Sequence, residues 1–209
     1  MKMPSHLYAM VDPAGGHDPT ELARILLEAG ARILQLRLKD ASSRALLAAA
    51  RTIAPLCKAH GALLIVDDRA DVAILAAAGG VHLGQDDLPL EAARRLMGGR
   101  VIGISTHTVE QAIAAERGGA DYIGFGPVYP GGLRNNESGK GLEGLRAVRA
   151  AVRIPIVAIG GITESAVAAT LGAGADACAI ITDIVRAADV AAKVRAILAI
   201  CPDAAISHG

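Results

Sequence analysis

Short runs that are apolar at nearly every position recur along the chain, each followed by a longer stretch with helical periodicity. Eight such runs predict strands: His6–Val11, Arg32–Leu38, Ala62–Asp67, Gly80–Leu83, Val101–Ile104, Asp121–Phe125, Pro155–Ile159 and Ala177–Ile181. Continuous apolar runs, rather than alternating ones, are what a parallel sheet covered on both faces requires. Between them lie helix signals. Asp18-Pro19-Thr20-Glu21 offers an N-cap, a proline at the first helical position and an acid behind it. Leu22, Ile25, Leu26 and Ala29 continue at helical spacing, and Gly30 is a stop. Ser42 or Ser43 opens a second helix, Thr108 another, and Thr163 precedes one that ends near Gly172 and Gly174. Strand and helix alternating eight times over predict one α/β domain across residues 1–209, a closed (β/α)8 TIM barrel. The chain is short for that fold, where roughly 250 residues is typical. An open doubly wound sheet is the alternative, but it wants its glycine-rich turn early, and here the glycines cluster late.

Composition narrows the function. Of 209 residues, 52% are hydrophobic and only 2% aromatic, so Ala, Val, Ile and Leu must build the core, and disorder is excluded. Lys plus Arg and Asp plus Glu are 21 each. A nucleic-acid partner is not expected without the basic excess that displaces phosphate counterions. No apolar run approaches the about 20 residues a membrane span needs, and Met1–His6 has no apolar stretch of the secretory kind. Cys57, Cys178 and Cys201 fit neither a zinc spacing nor a disulfide framework. A cytoplasmic protein is therefore expected, and an assembly of identical chains is left open.

In a barrel the C-terminal strand ends form the active face, and the unusual polar residues fall there. In Gln35-Leu36-Arg37-Leu38-Lys39 the period of two sends Gln35, Arg37 and Lys39 to one side, into the mouth. Two cations and an amide converging there call for an anion, since buried charge is costly unless paired. Asp67-Asp68 and Asp86-Asp87 follow the next two strands. Adjacent strands lie about 4.8 Å apart, so one carboxylate from each can share a magnesium ion, which accepts few carboxylates and completes its shell with water and phosphate. The competing reading makes Asp68 and Asp87 helix N-caps, near Ala70 and Pro89. Ser105 and Thr108 follow the fifth strand, where a hydroxyl can meet a phosphate or cap a helix. His82 and His107 read as packed or hydrogen-bonded residues rather than as acid or base.

The stretch from Gly126 to Gly141 has five glycines and is long enough to suggest a lid over the mouth. Gly160-Gly161 and Ile181-Thr182 follow the last two strands, the recurrent phosphate site of this fold. The total is two anion sites on one face, one bridged by a cation, and no nucleophile–base pair. Such a site joins two phosphorylated small molecules with diphosphate as the leaving group.

The segments GARILQLRLKD, LLIVDDRADVAI, GVHLGQDDLP, IGISTHT, GGADYIGFGPVYP, GLEGLRAV, IPIVAIGGIT and GADACAIITDI, in this order, resemble the thiamine-phosphate synthase (thiamine-phosphate pyrophosphorylase) family from about His6 to Ile197. The resemblance implies a magnesium-dependent transferase. It would couple hydroxymethylpyrimidine diphosphate to hydroxyethylthiazole phosphate, releasing diphosphate through a dissociative, carbocation-like substitution. It implies that Gln35, Leu36, Arg37, Leu38, Lys39, Asp67, Ser105 and Arg134 surround the pyrimidine diphosphate. Arg37, Lys39, Ser105 and Arg134 among them would serve catalysis. Gly161, Ile181 and Thr182 would hold the thiazole phosphate, and Asp68 and Asp87 the magnesium.

Three departures from the family pattern stand out. Asp67 replaces the usual Asn before the metal aspartate, and Thr182 replaces Ser. After Pro130 the usual Thr-x-Thr-Lys becomes Gly131-Gly132-Leu133-Arg134, which loses both hydroxyls and puts Arg where Lys would stand. Lys140 and Asn135-Asn136 are other candidates for that place. The altered loop keeps two alternatives open: a thiazole tautomerase, although Gly126-Pro127-Val128 lacks that enzyme's histidine, and a ligand-binding relative without turnover.

Overall fold

A computed structural model describes residues 1–131 and 139–200. Eight parallel strands close into a barrel in sequence order: β1 (Leu7–Val11), β2 (Ile33–Leu36), β3 (Leu63–Asp67), β4 (Gly80–Leu83), β5 (Val101–Thr106), β6 (Tyr122–Phe125), β7 (Ile156–Ala158) and β8 (Ala177–Ile180). β8 returns to β1 with Tyr8 opposite Ala179, which closes the ring. Helices α1 (Pro19–Glu28), α2 (Ser43–Ala59), α3 (Ala70–Leu75), α4 (Leu90–Met97), α5 (Val109–Arg117), α6 (Gly141–Ala151) and α7 (Val167–Gly172) fill the crossovers, and α8 (Thr182–Val185) and α9 (Val190–Ile200) follow β8. The TIM barrel anticipated from the repeating pattern is present. No helix among the described residues is long and apolar enough to cross a membrane.

Strand alternation divides the interior in two. Leu7, Ala9 and Val11 face the helices and join a large outer core, whereas Tyr8 and Met10 point into the barrel with Ile33, Ile65, Tyr122, Val157 and Ala177. Both faces of each strand are thus buried, which is why the strands read as unbroken apolar runs.

Caps explain the helix starts. Asp18 Oδ1 accepts from the backbone N–H of Thr20 and Glu21 at 2.9 and 3.0 Å, Ser42 Oγ from Ala45, and Thr108 Oγ1 from Gln111. Thr163 does not cap: its hydroxyl meets Ser165, and a 3-10 turn at Glu164–Ala166 precedes α7. Asp68 and Asp87 do not cap either. Helices α3 and α4 begin after Arg69 and Pro89 with no side-chain cap, so neither aspartate is spent on a helix end. Strand β2 stops at Leu36, two residues earlier than expected, although Arg37 N–H still donates to Val11 O at 2.9 Å. Strand β5 runs two residues further, to Thr106, and carries Ser105 into register with Gly124.

Candidate active site

A cavity of about 570 Å³ opens at the C-terminal ends of the strands. This size and place suit a small-molecule site. Gln35, Arg37, Lys39, Asp67, Asp68, Asp87, Ser105, Gly161, Ile181 and Thr182 all line it. Leu36 and Leu38, also expected at the pyrimidine diphosphate, do not. The pleat turns both side chains into the outer core, so only their backbone is available to a ligand. Arg134 lies outside the described residues, as does the middle of the anticipated lid, residues 132–138, with Gly132, Leu133 and the Asn135-Asn136 pair.

The anion that the two cations call for is supplied, in the free protein, by carboxylates of the chain itself. Arg37 Nη1 donates to Asp12 Oδ2 at 2.6 Å, and Lys39 is hydrogen-bonded to Asp68 Oδ2. Lys39 Nζ also stands 2.9 Å from Asp67 Oδ2, close enough for an ion pair but out of line for a hydrogen bond, so that buried oxygen has no hydrogen-bond partner. Burial first, then the Asp68 charge, raise the Asp67 carboxyl to about 6, while Lys39 and Arg37 pull it down. For Lys39, burial alone would lower the ammonium, but its hydrogen bond to Asp68 and its attraction to Asp67 and Asp68 hold it above its ordinary value.

Asp12, Asp67, Asp68 and Asp87 set four carboxylates against two cations, so the mouth is short of positive charge. Asp68 sits in left-handed backbone, with φ 60°, where Asp is one of the few tolerated side chains. Its N–H donates to His82 O at 2.8 Å, which fixes the turn after β3. Asp87 Oδ2 accepts from Gly84 N–H at 2.6 Å. Burial raises the Asp87 carboxyl, the Gly84 bond lowers it, and the charge and hydrogen bond of neighbouring Asp68 raise it again. Among the described residues no cluster of three or more His, Cys, Asp or Glu could hold a metal unaided. Two converging carboxylates with surplus negative charge fit magnesium, which takes its remaining ligands from water and phosphate.

Beneath these groups runs a buried polar chain. Gln35 Nε2 donates to Tyr8 Oη at 3.1 Å, Tyr8 Oη meets Tyr122 Oη at 2.7 Å, Tyr122 Oη meets His82 Nδ1 at 3.0 Å, and His82 Nε2 meets Ser105 Oγ at 2.8 Å. Burial dominates the lowering of His82 to about 4, which keeps it neutral, and pushes both tyrosines up. The other histidine, His107, also lines the cavity and donates from Nδ1 to Gly126 O at 2.7 Å.

The opposite wall is a backbone turn. Gly160 and Gly161 have φ of 87° and 63°, and a Cβ on Gly160 would lie 2.4 Å from Pro127 Cβ. Val128 and Tyr129 N–H donate to Ile159 O and Gly160 O at 2.8 and 3.1 Å, tying the root of the β6–α6 loop to this turn.

Sequence reasoning did not single out Asp12, Tyr8 or Tyr122. The signal for Asp12 was present, since it is the polar residue directly after β1, as Asp68 is after β3.

Residues 7–184 match the model of the thiamine monophosphate synthase family. The chain belongs to this family. It is 46% identical over 196 residues to the thiamine-phosphate synthase of Methanospirillum hungatei, covering 90% of this chain and 94% of that one. The thiamine-phosphate synthase of Moorella thermoacetica is 45% identical over 183 residues, 87% of each chain. The solved structure of thiamine phosphate pyrophosphorylase from Pyrococcus furiosus superposes with a TM-score of 0.87 at 36% identity, covering 93% of this chain and 95% of that one. As a member of the thiamine monophosphate synthase family, the chain is a transferase with thiamine-phosphate diphosphorylase activity.

Proposed function

We propose that the chain condenses hydroxymethylpyrimidine diphosphate with hydroxyethylthiazole phosphate to give thiamine phosphate and diphosphate, with magnesium as cofactor. Besides the family membership, the observation that carries this reading is that one cavity holds both sets of groups. Surplus carboxylate and two cations stand at one wall, and a glycine turn stands at the other.

In this reading Gln35 and Asp67 face the pyrimidine, and Arg37, Lys39 and Ser105 hold the diphosphate. Asp68 and Asp87 hold magnesium. Gly161, Ile181 and Thr182 receive the thiazole phosphate, and Arg134 takes the role of the family's usual lysine toward the diphosphate. The methylene C–O bond breaks first and its electron pair leaves on the diphosphate. The resulting pyrimidine cation is captured by the lone pair of the thiazole nitrogen, which forms the C–N bond. That nitrogen loses no proton, so no strong base is needed, consistent with neutral His82 and backbone-bonded His107. Bound magnesium would neutralise charge on the departing diphosphate. Arg37 and Lys39 are pre-oriented by Asp12, Asp67 and Asp68, so little reorganisation is required as that charge develops.

The test supplies the purified chain with both substrates and magnesium and follows thiamine phosphate. Turnover that falls by roughly a hundredfold or more in Asp68→Ala is expected, the scale of losing a main electrostatic contact at the leaving group. Binding of both substrates without product would overturn the reading. Conversion of a thiazole tautomer alone would favour the isomerase instead.

A further inference from the structure

We infer that Tyr8, Tyr122 and His82 form one polarised hydrogen-bond wire that turns the Ser105 hydroxyl into a donor toward the cavity, and so couples recognition at Gln35 to recognition at Ser105. All three are positioning residues in this account.

The wire is built from five different strands and crosses the barrel, because β1 and β6 are not neighbours. Room for it is made by glycines. A Cβ on Gly103 would fall 2.0 Å from Tyr122 Cζ, and one on Gly124 would fall 3.0 Å from His82 Cε1. The His82 and Tyr122 rings stack with centroids 5.5 Å apart, and Tyr8 and Tyr122 are at most 1% exposed.

Hydrogen counting fixes what such a chain can do. Each hydroxyl has one hydrogen, and a neutral imidazole has one N–H and one acceptor nitrogen. A hydroxyl that receives a hydrogen bond from one side therefore passes its own hydrogen to the other. Gln35 gives an amide hydrogen to Tyr8, and Tyr8 has no other partner than Tyr122 among the described residues. Tyr8 then donates to Tyr122, Tyr122 to His82 Nδ1, and His82 Nε2–H to Ser105 Oγ. Ser105 is left with its hydrogen directed at the cavity, and Gln35 with its carbonyl oxygen. The only other consistent state reverses every link, spends the Ser105 hydrogen on His82 and turns the Gln35 amide over. An anion at Ser105 accepts and cannot donate, so it selects the first polarity. A ligand group that donates at Gln35, such as an amino group on a ring, selects the same one. The wire thus favours a molecule carrying a donor at one end and an anion at the other. Placing an anion at Ser105 rests on the proposed function, whereas the polarity of the free protein does not.

The test uses the full chain labelled with [15N]histidine, with His82→Gln to assign the signals among six histidines. Two-bond 1H–15N spectra of the free protein should show His82 as the neutral Nε2–H tautomer. Tyr122→Phe keeps the ring and cuts the wire. It should yield a mixture of His82 tautomers and weaken binding of inorganic diphosphate with magnesium at least fivefold, by titration calorimetry, while KM for the thiazole phosphate holds. An Nδ1–H tautomer or a charged ring in the wild type would overturn the inference. So would a Tyr122→Phe protein that melts earlier yet keeps both the tautomer and the diphosphate affinity. A wild-type chain with the expected tautomer, and its loss in Tyr122→Phe, but no turnover would uphold the wire and defeat the functional reading.

Discussion

Asp67 carries a carboxylate into a place where burial opposes its charge, and its own neighbour Asp68 adds repulsion. With its folded pKa raised from 3.8 to about 6, its contribution to stability is fully present below about 3.8 and is lost as pH rises through about 6. The shift is worth about 3 kcal/mol at 1.36 kcal/mol per unit. His82 works in the opposite sense. Its pKa falls from 6.5 to about 4, so its contribution is full above 6.5 and lost as pH falls toward 4. The two cancel in the same window. The Asp67→Asn variant removes one of them, so urea unfolding without divalent ions should show it gaining on the wild type by up to about 3 kcal/mol between pH 4 and pH 7. A difference curve that stays flat would show that the Lys39 contact fully offsets the burial. Asp67 was legible as a site residue because it ends a strand, but its partner set was not. Nothing in the spacing of Asp12, Arg37 and Asp67 along the chain says that three successive strands bring them to one ion cluster. Likewise Tyr8 and Tyr122 are ordinary strand residues until the barrel closes and carries them across its interior.

Element by element, the strands were readable because double burial makes each an unbroken apolar run, and the helix starts at Asp18, Ser42 and Thr108 because a short polar side chain there satisfies free N–H groups. Asp68 and Asp87 looked alike in sequence to those caps. What separates them is turn geometry: the left-handed backbone at Asp68, pinned by His82 O, and the Gly84 bond to Asp87 aim the carboxylates at the cavity rather than at a helix end. The glycine turn after β7 is the other element whose geometry exceeds what its letters tell. At Gly160 a side chain meets positive φ and Pro127 together. Gly160→Ala should therefore cost roughly 1–3 kcal/mol of stability, or about 2–4 °C in Tm for each kcal/mol in a chain of this size. Because the turn lines the wall opposite Lys39, KM for the thiazole phosphate should rise while KM for the pyrimidine diphosphate holds. Equal rises in both would mean the turn shapes the whole mouth and not one subsite.

On the scale of the whole molecule, the charge balance of the mouth decides how ligands bind together. A formal net charge of zero over the chain hides a local deficit, two cations against the carboxylates of Asp12, Asp67, Asp68 and Asp87. Diphosphate alone brings more negative charge to that deficit and is repelled by Asp68 and Asp87. A divalent ion alone finds only two carboxylates and must compete with Lys39 for Asp68. Under the proposed function each ligand supplies what the other lacks, so cooperative binding is expected. A ligand at a hundred times its Kd raises stability by about 2.7 kcal/mol. Thermal unfolding of the wild type should accordingly show a rise in Tm with magnesium and diphosphate together that exceeds the sum of the separate rises. Asp87→Asn leaves the Gly84 N–H an acceptor but removes one charge from the pair. In that variant the cooperative part should shrink, while diphosphate alone should bind better than it does to the wild type, because a repelling carboxylate is gone. If the two ligands act independently in the wild type, the carboxylate pair does not share an ion with the diphosphate, and Asp68 and Asp87 serve only to orient Lys39 and the Gly84 turn.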